Sequence, residues 1–364
     1  MTLKYKSSYI RILLIILGFL LPAQSVFCKV VVSGFPMLYR EISPAQLALG
    51  GSVFLPGNHP EMIFNNPAAA KFTNDKKCGF FISGNNKGRI IENSNDFAVS
   101  ALYDPSGFGD FRIAVGYRLN MLEGERWENI NNIPVMSSDS NTLAFHLFSF
   151  HVSKPTYLLK DILPGSLSIG ITYTHGLNIF NTVKKESRNS HDFNYGFLYD
   201  SRASTGSPET SNTPVYVGFG LNHHYEAPVN NHGRDISQIH FGSYLGFPLN
   251  QNFYSYLTTD ILRTYDSDYS EYGGGIEVGI NLDDTSRVGL RIGYRSYQST
   301  FYTDISDLEQ DHFSNTRIGF FVLTNITDIL VQTDFAYFIN DSYTPFGNVS
   351  IANNHVVLSL IIAY

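Results

Sequence analysis

The sequence is poor in charged residues. Of its 364 residues, 16% are Asp, Glu, Lys or Arg, whereas 14% are aromatic. Soluble domains usually carry about 25% charged residues. The formal net charge is −7 and no basic run is present, which argues against nucleic acid as a partner, because phosphate binding needs clustered Lys and Arg. Low charge with many Tyr and Phe residues suits a wall that faces lipid.

Cysteine and catalytic motifs are also scarce. The two cysteines are Cys28 and Cys78, too few for disulfides to hold the fold together. No Gly-x-Ser-x-Gly, phosphate loop or dinucleotide fingerprint occurs. The adjacent histidines His223 and His224 would point to opposite faces of a strand, which is poor geometry for sharing a metal. We therefore predict no catalytic residue, no metal, no cofactor and no enzymatic activity.

Long hydrophobic runs are confined to the N-terminus. Basic residues precede an apolar run at 12–21, and small residues follow it, which is the layout of a secretory signal peptide over residues 1–28. Cleavage after Ser25 and cleavage after Cys28 both fit this pattern. A transmembrane anchor is the weaker alternative, because the run is shorter than the ~20 residues that span a bilayer.

The next stretch, residues 47–72, has neither a helical nor a strand pattern. It contains the turn formers Gly50-Gly51, Pro56-Gly57 and Asn65-Asn66-Pro67. Between them lie side chains too apolar for water: Val53, Phe54, Leu55, Met62, Ile63 and Phe64. We predict that residues 29–72 form a hatch segment inside the barrel described next; an ordinary surface loop is the alternative.

The rest of the chain alternates apolar and polar residues. In residues 111–120, the odd positions are apolar and the even positions are polar or small, over a length that crosses a bilayer as a tilted strand. Fourteen such strands are predicted, near 79–84, 97–104, 110–120, 141–153, 165–176, 191–199, 214–223, 236–247, 252–262, 271–282, 286–297, 312–324, 328–339 and 353–364.

These strands predict an all-β fold, a 14-stranded antiparallel transmembrane outer-membrane barrel over residues 73–364 with an N-terminal luminal hatch. Short connections alternate with long ones, as the two ends of such a barrel require and a β-sandwich does not. The connection from Tyr199 to Pro214 breaks this rule. Either the sixth strand is misplaced or the barrel has an insertion there.

Five arginines are candidate ligand-binding residues on the inner face: Arg287, Arg291 and Arg295 in one column, and Arg112 and Arg118 in a second. A luminal guanidinium could bind the carboxylate of an amphipathic ligand. It could equally pair with luminal carboxylates such as Glu277 and simply fill the lumen, which is the interpretation we favour.

Two short motifs resemble the long-chain fatty acid transporter (FadL-like) superfamily, in particular its PorV/PorQ-like and UPF0164 outer-membrane proteins. One is Ala48-Leu49-Gly50-Gly51 followed by Asn66-Pro67-Ala68; the other is the C-terminal hairpin, with Asp334-Phe335-Ala336-Tyr337, Gly347 and His355. The resemblance implies fourteen strands and an N-terminal hatch, formed here around Gly50, Gly51, Asn66, Pro67 and Ala68. Between its N-terminal motifs this chain departs from the family, with Phe54, Pro56, His59 and Pro60.

The resemblance implies a location in the bacterial outer membrane and two functions. The first is passive transport of hydrophobic or amphipathic, fatty-acid-like molecules, which predicts an apolar pocket beside the hatch segment. The second is a binding or scaffold role in protein secretion, with secretion-system proteins as partners at the long loops, notably 121–140 and 297–311. The expected partners are thus the lipid bilayer with a fatty acid or other amphiphile for the first function, and secretion-system proteins for the second.

Overall fold

The computed structural model describes residues 43–52, 59–70, 78–88, 92–104, 111–130, 133–156, 165–181, 185–201, 216–227, 236–249, 252–264, 270–282, 286–302, 308–326, 328–343, 351–353 and 355–364. The predicted signal peptide, residues 1–28, lies outside this part of the chain, as do 29–42, 53–58 and 71–72 of the predicted hatch segment. The boundaries at residues 28 and 72 stay predictions.

Fourteen antiparallel strands form a closed barrel, as predicted. The last strand, β14, consists of two segments that both pair with β13, and its second segment also pairs with β1, which closes the ring. The strands are β1 Cys78–Gly88, β2 Glu92–Tyr103, β3 Arg112–Ile130, β4 Ile133–Thr156, β5 Ser166–Asn181, β6 Lys185–Asp200, β7 Tyr216–Ala227, β8 Ile236–Pro248, β9 Phe253–Thr264, β10 Ser270–Asn281, β11 Ser286–Tyr302, β12 Leu308–Ile326, β13 Ile329–Tyr343 and β14 Ile351–Asn353 with His355–Ala363.

The two faces of the wall follow the predicted alternation. On β11 the outward Leu290 and Ile292 are 63% and 57% exposed, whereas the inward Arg291 is 3% exposed. On β14 the outward Val356 and Leu358 are likewise exposed. An apolar outer face and a polar inner face are what a barrel in lipid requires.

The connections differ from the prediction. The expected long loop at 121–140 is mostly strand, because β3 continues to Ile130 and β4 begins at Ile133. Likewise β11 runs to Tyr302 and β12 begins at Leu308. These polar stretches lack the apolar alternation that marks a strand in lipid, yet their backbones satisfy one another by pairing as extended hairpins. Where the sequence predicted long loops, the structure therefore has longer strands.

The sixth strand lies where it was predicted. It spans Lys185–Asp200 and includes residues 191–199, while β7 begins only at Tyr216. The long connection between them therefore remains, at the end of the barrel where Cys78 and Tyr364 exchange backbone hydrogen bonds. We call this end the base.

The helical part of the described chain lies in the hatch segment. Helix α1 spans Pro44–Ala48, and two 3-10 helices, η1 and η2, span Pro60–Phe64 and Pro67–Ala69. Within the described ranges, no helix has the length and hydropathy needed to cross a membrane.

Candidate functional site: the hatch segment in the barrel lumen

Local polar contacts set the path of the hatch segment. Ser43 is the N-cap of helix α1, and its hydroxyl accepts from the amide of Gln46 and donates to Glu61 at 2.8 Å. His59 Nδ1 lies 2.9 Å from the same carboxylate oxygen. The side chain of Asn66 caps η2 by accepting from the amide of Ala68 at 3.1 Å, as Asn does at helix starts. These contacts join the two described parts of the segment.

The wall satisfies backbone carbonyls of the hatch segment. Irregular backbone cannot pair all of its polar groups internally, and each buried unpaired group destabilises the fold. Five inward side chains on five strands donate to five of its carbonyls: Arg317 to Leu47 (3.2 Å), Thr258 to Leu49 (3.2 Å), Ser100 to Pro60 (3.3 Å), Thr172 to Ile63 (3.0 Å) and Asn194 to Asn65 (2.6 Å). The segment is thus held across the lumen by side chains, without joining the sheet.

Two glycine pairs in the wall admit the hatch segment, and we call them the glycine seats. Gly170 and Gly196 are directly opposite on β5 and β6, and a methyl group on Gly170 would lie 2.6 Å from the carbonyl carbon of Pro67. Gly275 and Gly293 are directly opposite on β10 and β11. A methyl group on Gly275 would lie 2.7 Å from the Cα of Leu49. Both distances are too short for a Cβ atom, so only glycine fits at these positions.

The predicted hatch residues lie at these seats. Gly50 has φ +75°, and a methyl group on it would lie 2.6 Å from the backbone of Gly274. Gly51 has φ 95°, a region that favours glycine. Asn66, Pro67 and Ala68 contact the seat on β5 and β6. The two parts of the N-terminal motif, residues 48–51 and 66–68, therefore include contacts between the hatch segment and the wall.

The base side of the hatch segment is an apolar core. Met62 and Ile63 are completely buried, in a cluster with Leu102, Leu198 and Leu330 of the wall. This burial is the reason that apolar residues can occupy an irregular segment. Val53, Phe54 and Leu55, predicted to be covered in the same way, lie outside the described residues.

The predicted arginines share the inner face but not one environment. Arg112 lies near the base, with Nε 2.8 Å from Asp104 Oδ2. Arg118 and Arg295 are buried, and Arg295 forms an ion pair with Glu271. Arg287 is half-buried at the base end of β11. The arginines of each predicted column do lie on the same face of one strand. Their role in ligand binding stays a prediction.

Arg291 is the centre of a buried ionic cluster. Its Nε donates to Glu277 Oε2 at 2.7 Å and its Nη1 donates to Asp334 Oδ1. Glu277 is directly opposite on β10. The amide of Gln332 donates to the other oxygen of Asp334 at 2.8 Å. The guanidinium also lies 4.3 Å from the ring centroid of Phe321. These contacts match the interpretation in which luminal arginines pair with luminal carboxylates.

Sequence reasoning missed several residues that position the segment. Arg317, which is 1% exposed, holds the carbonyl of Leu47 and also donates to Asn315 at 2.7 Å. Asp334 pairs with Arg291, although the sequence marks it only as part of the C-terminal motif. The available signal for Arg317 and Asp334 was that each occupies an inward-facing position in the alternation of its strand. It identifies luminal residues but does not show which of them meet.

A narrow cavity lies on the side of the hatch segment away from the base. Asn65 and Phe64 form part of its lining, and Asn194, Asn222, His224 and Arg295 contribute from the wall. Only about 20 Å³ of it can hold the centre of a water molecule. The predicted pocket beside the hatch was apolar; this one is lined mainly by amides, imidazoles and a guanidinium. The cavity is therefore small, and most of the residues that line it are polar.

No group of three or more His, Cys, Asp and Glu side chains in the described ranges is arranged to hold a metal ion. His224 is buried and faces the lumen, while its neighbour His223 contacts Ser237 at 2.9 Å. The two side chains thus take opposite directions, as the strand pattern predicted.

The geometry defines a class: a closed 14-stranded barrel of the outer-membrane type whose lumen holds an N-terminal segment. Its fold is similar to that of the deltaS2S3 mutant of the monoaromatic hydrocarbon channel TodX, with a TM-score of 0.51 and 11% identity over 88% of this chain and 98% of that one. Two further similar structures are the Pseudomonas putida toluene transporter TodX and a Pseudomonas aeruginosa FadL homologue. They have 12% and 10% identity, TM-scores of 0.47, 88% coverage of this chain, and 96% and 98% coverage of their own.

No family model and no curated protein sequence matches the chain. At these identities the similarity to solved structures shows the fold alone.

Proposed function

We propose that the protein is a passive channel of the bacterial outer membrane for amphipathic small molecules, with the hatch segment as its gate. The observation that carries this proposal is the way the segment is held. It crosses the lumen on two glycine seats and accepts hydrogen bonds from wall side chains, without pairing with a strand. Because these bonds come from side chains and none belongs to the sheet, the segment can leave without breaking the strand pairing of the barrel.

The fold shared with a monoaromatic hydrocarbon channel supports transport of molecules with apolar parts. The polar cavity favours amphiphiles over pure hydrocarbons as the transported molecules. A pure hydrocarbon would leave the buried side-chain oxygens of Asn194 and Asn222 without a hydrogen-bond donor. Membership in the FadL-like superfamily, and in its PorV/PorQ-like or UPF0164 branches, is part of the same proposal. It rests on the N-terminal motif at 48–51 and 66–68 and on the C-terminal hairpin with residues 334–337, Gly347 and His355.

A specific observation also favours the scaffold function. The hatch segment, the Arg291 cluster and the base core fill the described lumen, as expected for a barrel that presents a surface to secretion proteins and conducts nothing. The hairpins that extend β3, β4, β11 and β12 would supply that surface.

Uptake in cells separates the two functions. Bacteria that produce the full chain are expected to take up labelled 1-decanol and decanoate faster than cells with an empty vector, because an open lumen bypasses the slow outer leaflet. Assembly is checked by the heat-dependent gel mobility of the folded barrel in outer-membrane fractions. Uptake equal to the vector control, despite a folded and correctly located barrel, would contradict the channel and support the scaffold.

A further inference from the structure

The cavity beside the hatch segment contains unpartnered acceptors. Asn194 and Asn222 are each 5% exposed, and the side-chain oxygen of each has no hydrogen-bond partner. The side-chain nitrogen of Asn194, Nδ2, donates to the carbonyl of Asn65 at 2.6 Å. This hydrogen bond fixes which end of the amide is the oxygen. A buried acceptor without a donor is unfavourable. The site therefore favours a ligand that donates hydrogen bonds.

The charges around the cavity argue against an ionic ligand. Arg295, which contributes to the lining, is paired with Glu271. Next to it on the same face, Arg291 is paired with Glu277 and Asp334. A carboxylate ligand would have to compete with these protein carboxylates and would meet amide oxygens that also carry partial negative charge. A cationic ligand would be repelled by Arg295. A neutral donor meets neither penalty.

The size and lining of the cavity set the kind of donor. The space available is about 20 Å³ for the centre of a water molecule, which accommodates one hydroxyl group and excludes a sugar. Phe64 and Leu262 supply apolar surface beside the amides. The first carbons of an alkyl chain can contact them while its hydroxyl occupies the cavity, and the rest of the chain then extends out of the cavity.

We propose that the hydroxyl of a neutral, single-chain amphiphile such as a long-chain alcohol lies beside Asn194 and donates its one proton to the side-chain oxygen of Asn222. The inference deepens the proposed channel function and rests on it for its biological meaning. Asn194 Nδ2 keeps its hydrogen bond to the carbonyl of Asn65 while the ligand lies beside Asn194. The ligand site and the contact that holds the hatch segment therefore share a side chain.

Binding is tested on the full mature chain in detergent by native mass spectrometry, with 1-decanol, decanoate and decylamine titrated separately. We expect one equivalent of decanol to bind, with decanoate and decylamine at least about tenfold weaker, since one lost hydrogen bond or one uncompensated charge is worth about 1.4 kcal/mol or more. Asn222→Leu keeps the volume, removes the acceptor and is expected to weaken decanol binding about tenfold.

The matched control is Asn325→Leu. Asn325 also has a buried, unpartnered amide oxygen, but it lies at the base end of β12, outside the cavity, so decanol binding should not change. A second variant, Asn222→Asp, keeps an acceptor and adds a negative charge, and it should shift preference from decanol to decylamine. Circular dichroism confirms that each variant is folded.

The proposal is overturned if decanoate binds as tightly as decanol, or if Asn222→Leu and Asn325→Leu bind decanol equally in folded barrels. These outcomes are distinct from failure of the channel. A barrel that takes up decanoate in cells but shows no preference for decanol loses this site only. A barrel that binds decanol through Asn222 but supports no uptake loses the transport function only.

Discussion

Replacing Arg291 with methionine is expected to destabilise the folded barrel by about 3–5 kcal/mol, because it leaves two buried carboxylates without their cation. Glu277 and Asp334 are 4% and 3% exposed, and Arg291 bridges them. The measurement is unfolding of the barrel by urea in lipid vesicles, followed by tyrosine fluorescence and by heat-dependent gel mobility. The midpoint should shift to lower urea without a change in the folded spectrum.

Two further variants show how much of the lost stability comes from the ionic interactions of Arg291. Arg287→Met makes the same change on the same face of the same strand, but at a half-buried position near the base, and should cost no more than about 1 kcal/mol. The triple variant Arg291→Met, Glu277→Gln, Asp334→Asn removes all three charges and should recover most of the loss. Equal effects of Arg291→Met and Arg287→Met would show that the cluster does not carry the stability assigned to it.

Filling a glycine seat is expected to open the barrel. A methyl group on Gly196 would lie 2.7 Å from the amide nitrogen of Ala68, so Gly196→Leu cannot coexist with the seated hatch segment. Overpacking costs about 1–3 kcal/mol, and each 1.4 kcal/mol changes a population ratio tenfold. The open fraction, measured as ionic current in planar bilayers, should therefore rise between about fivefold and one-hundredfold.

Gly84→Leu is the matched control. Gly84 lies on β1 and faces outward, and a methyl group there would have no neighbour within 4 Å. Its current should equal that of the unsubstituted protein. If Gly196→Leu leaves the current unchanged in a barrel that inserts normally, either the hatch segment is not seated on Gly196 or it does not close the lumen.

The alternation along the strands predicted much of the fold, because lipid and lumen impose opposite chemistry on successive residues. It placed Ile113 outside and Arg118 inside, and both are there. The alternation failed to predict strands beyond the part of the wall that separates lipid from lumen. Beyond the apolar belt, the stretch from Met121 to Ile130 is a strand held by pairing with β4, and pairing leaves no hydrophobic period in the sequence.

The candidate site was less predictable, because it depends on which strands meet the hatch segment. Turn-forming and apolar residues marked the segment itself, and Glu277 was correctly suspected as an arginine partner. Arg317, however, lies 270 residues from Leu47 in sequence, and Asp334 reaches Arg291 across β12. Such meetings are fixed by the register and closure of the barrel, which a single sequence does not encode locally.

The measurement that tests the seated hatch segment most directly is a cross-link between it and the wall. Asn65→Cys and Asn194→Cys replace neighbouring residues, since the side chain of Asn194 reaches the backbone carbonyl of Asn65 at 2.6 Å. Cys28→Ser and Cys78→Ser remove the two native thiols. A short thiol-specific cross-linker should join the two cysteines in the folded barrel and hold the ionic current at its closed level, with each single cysteine giving no product. A folded barrel in which both cysteines react separately and never join would show that the segment does not cross the lumen at Asn194.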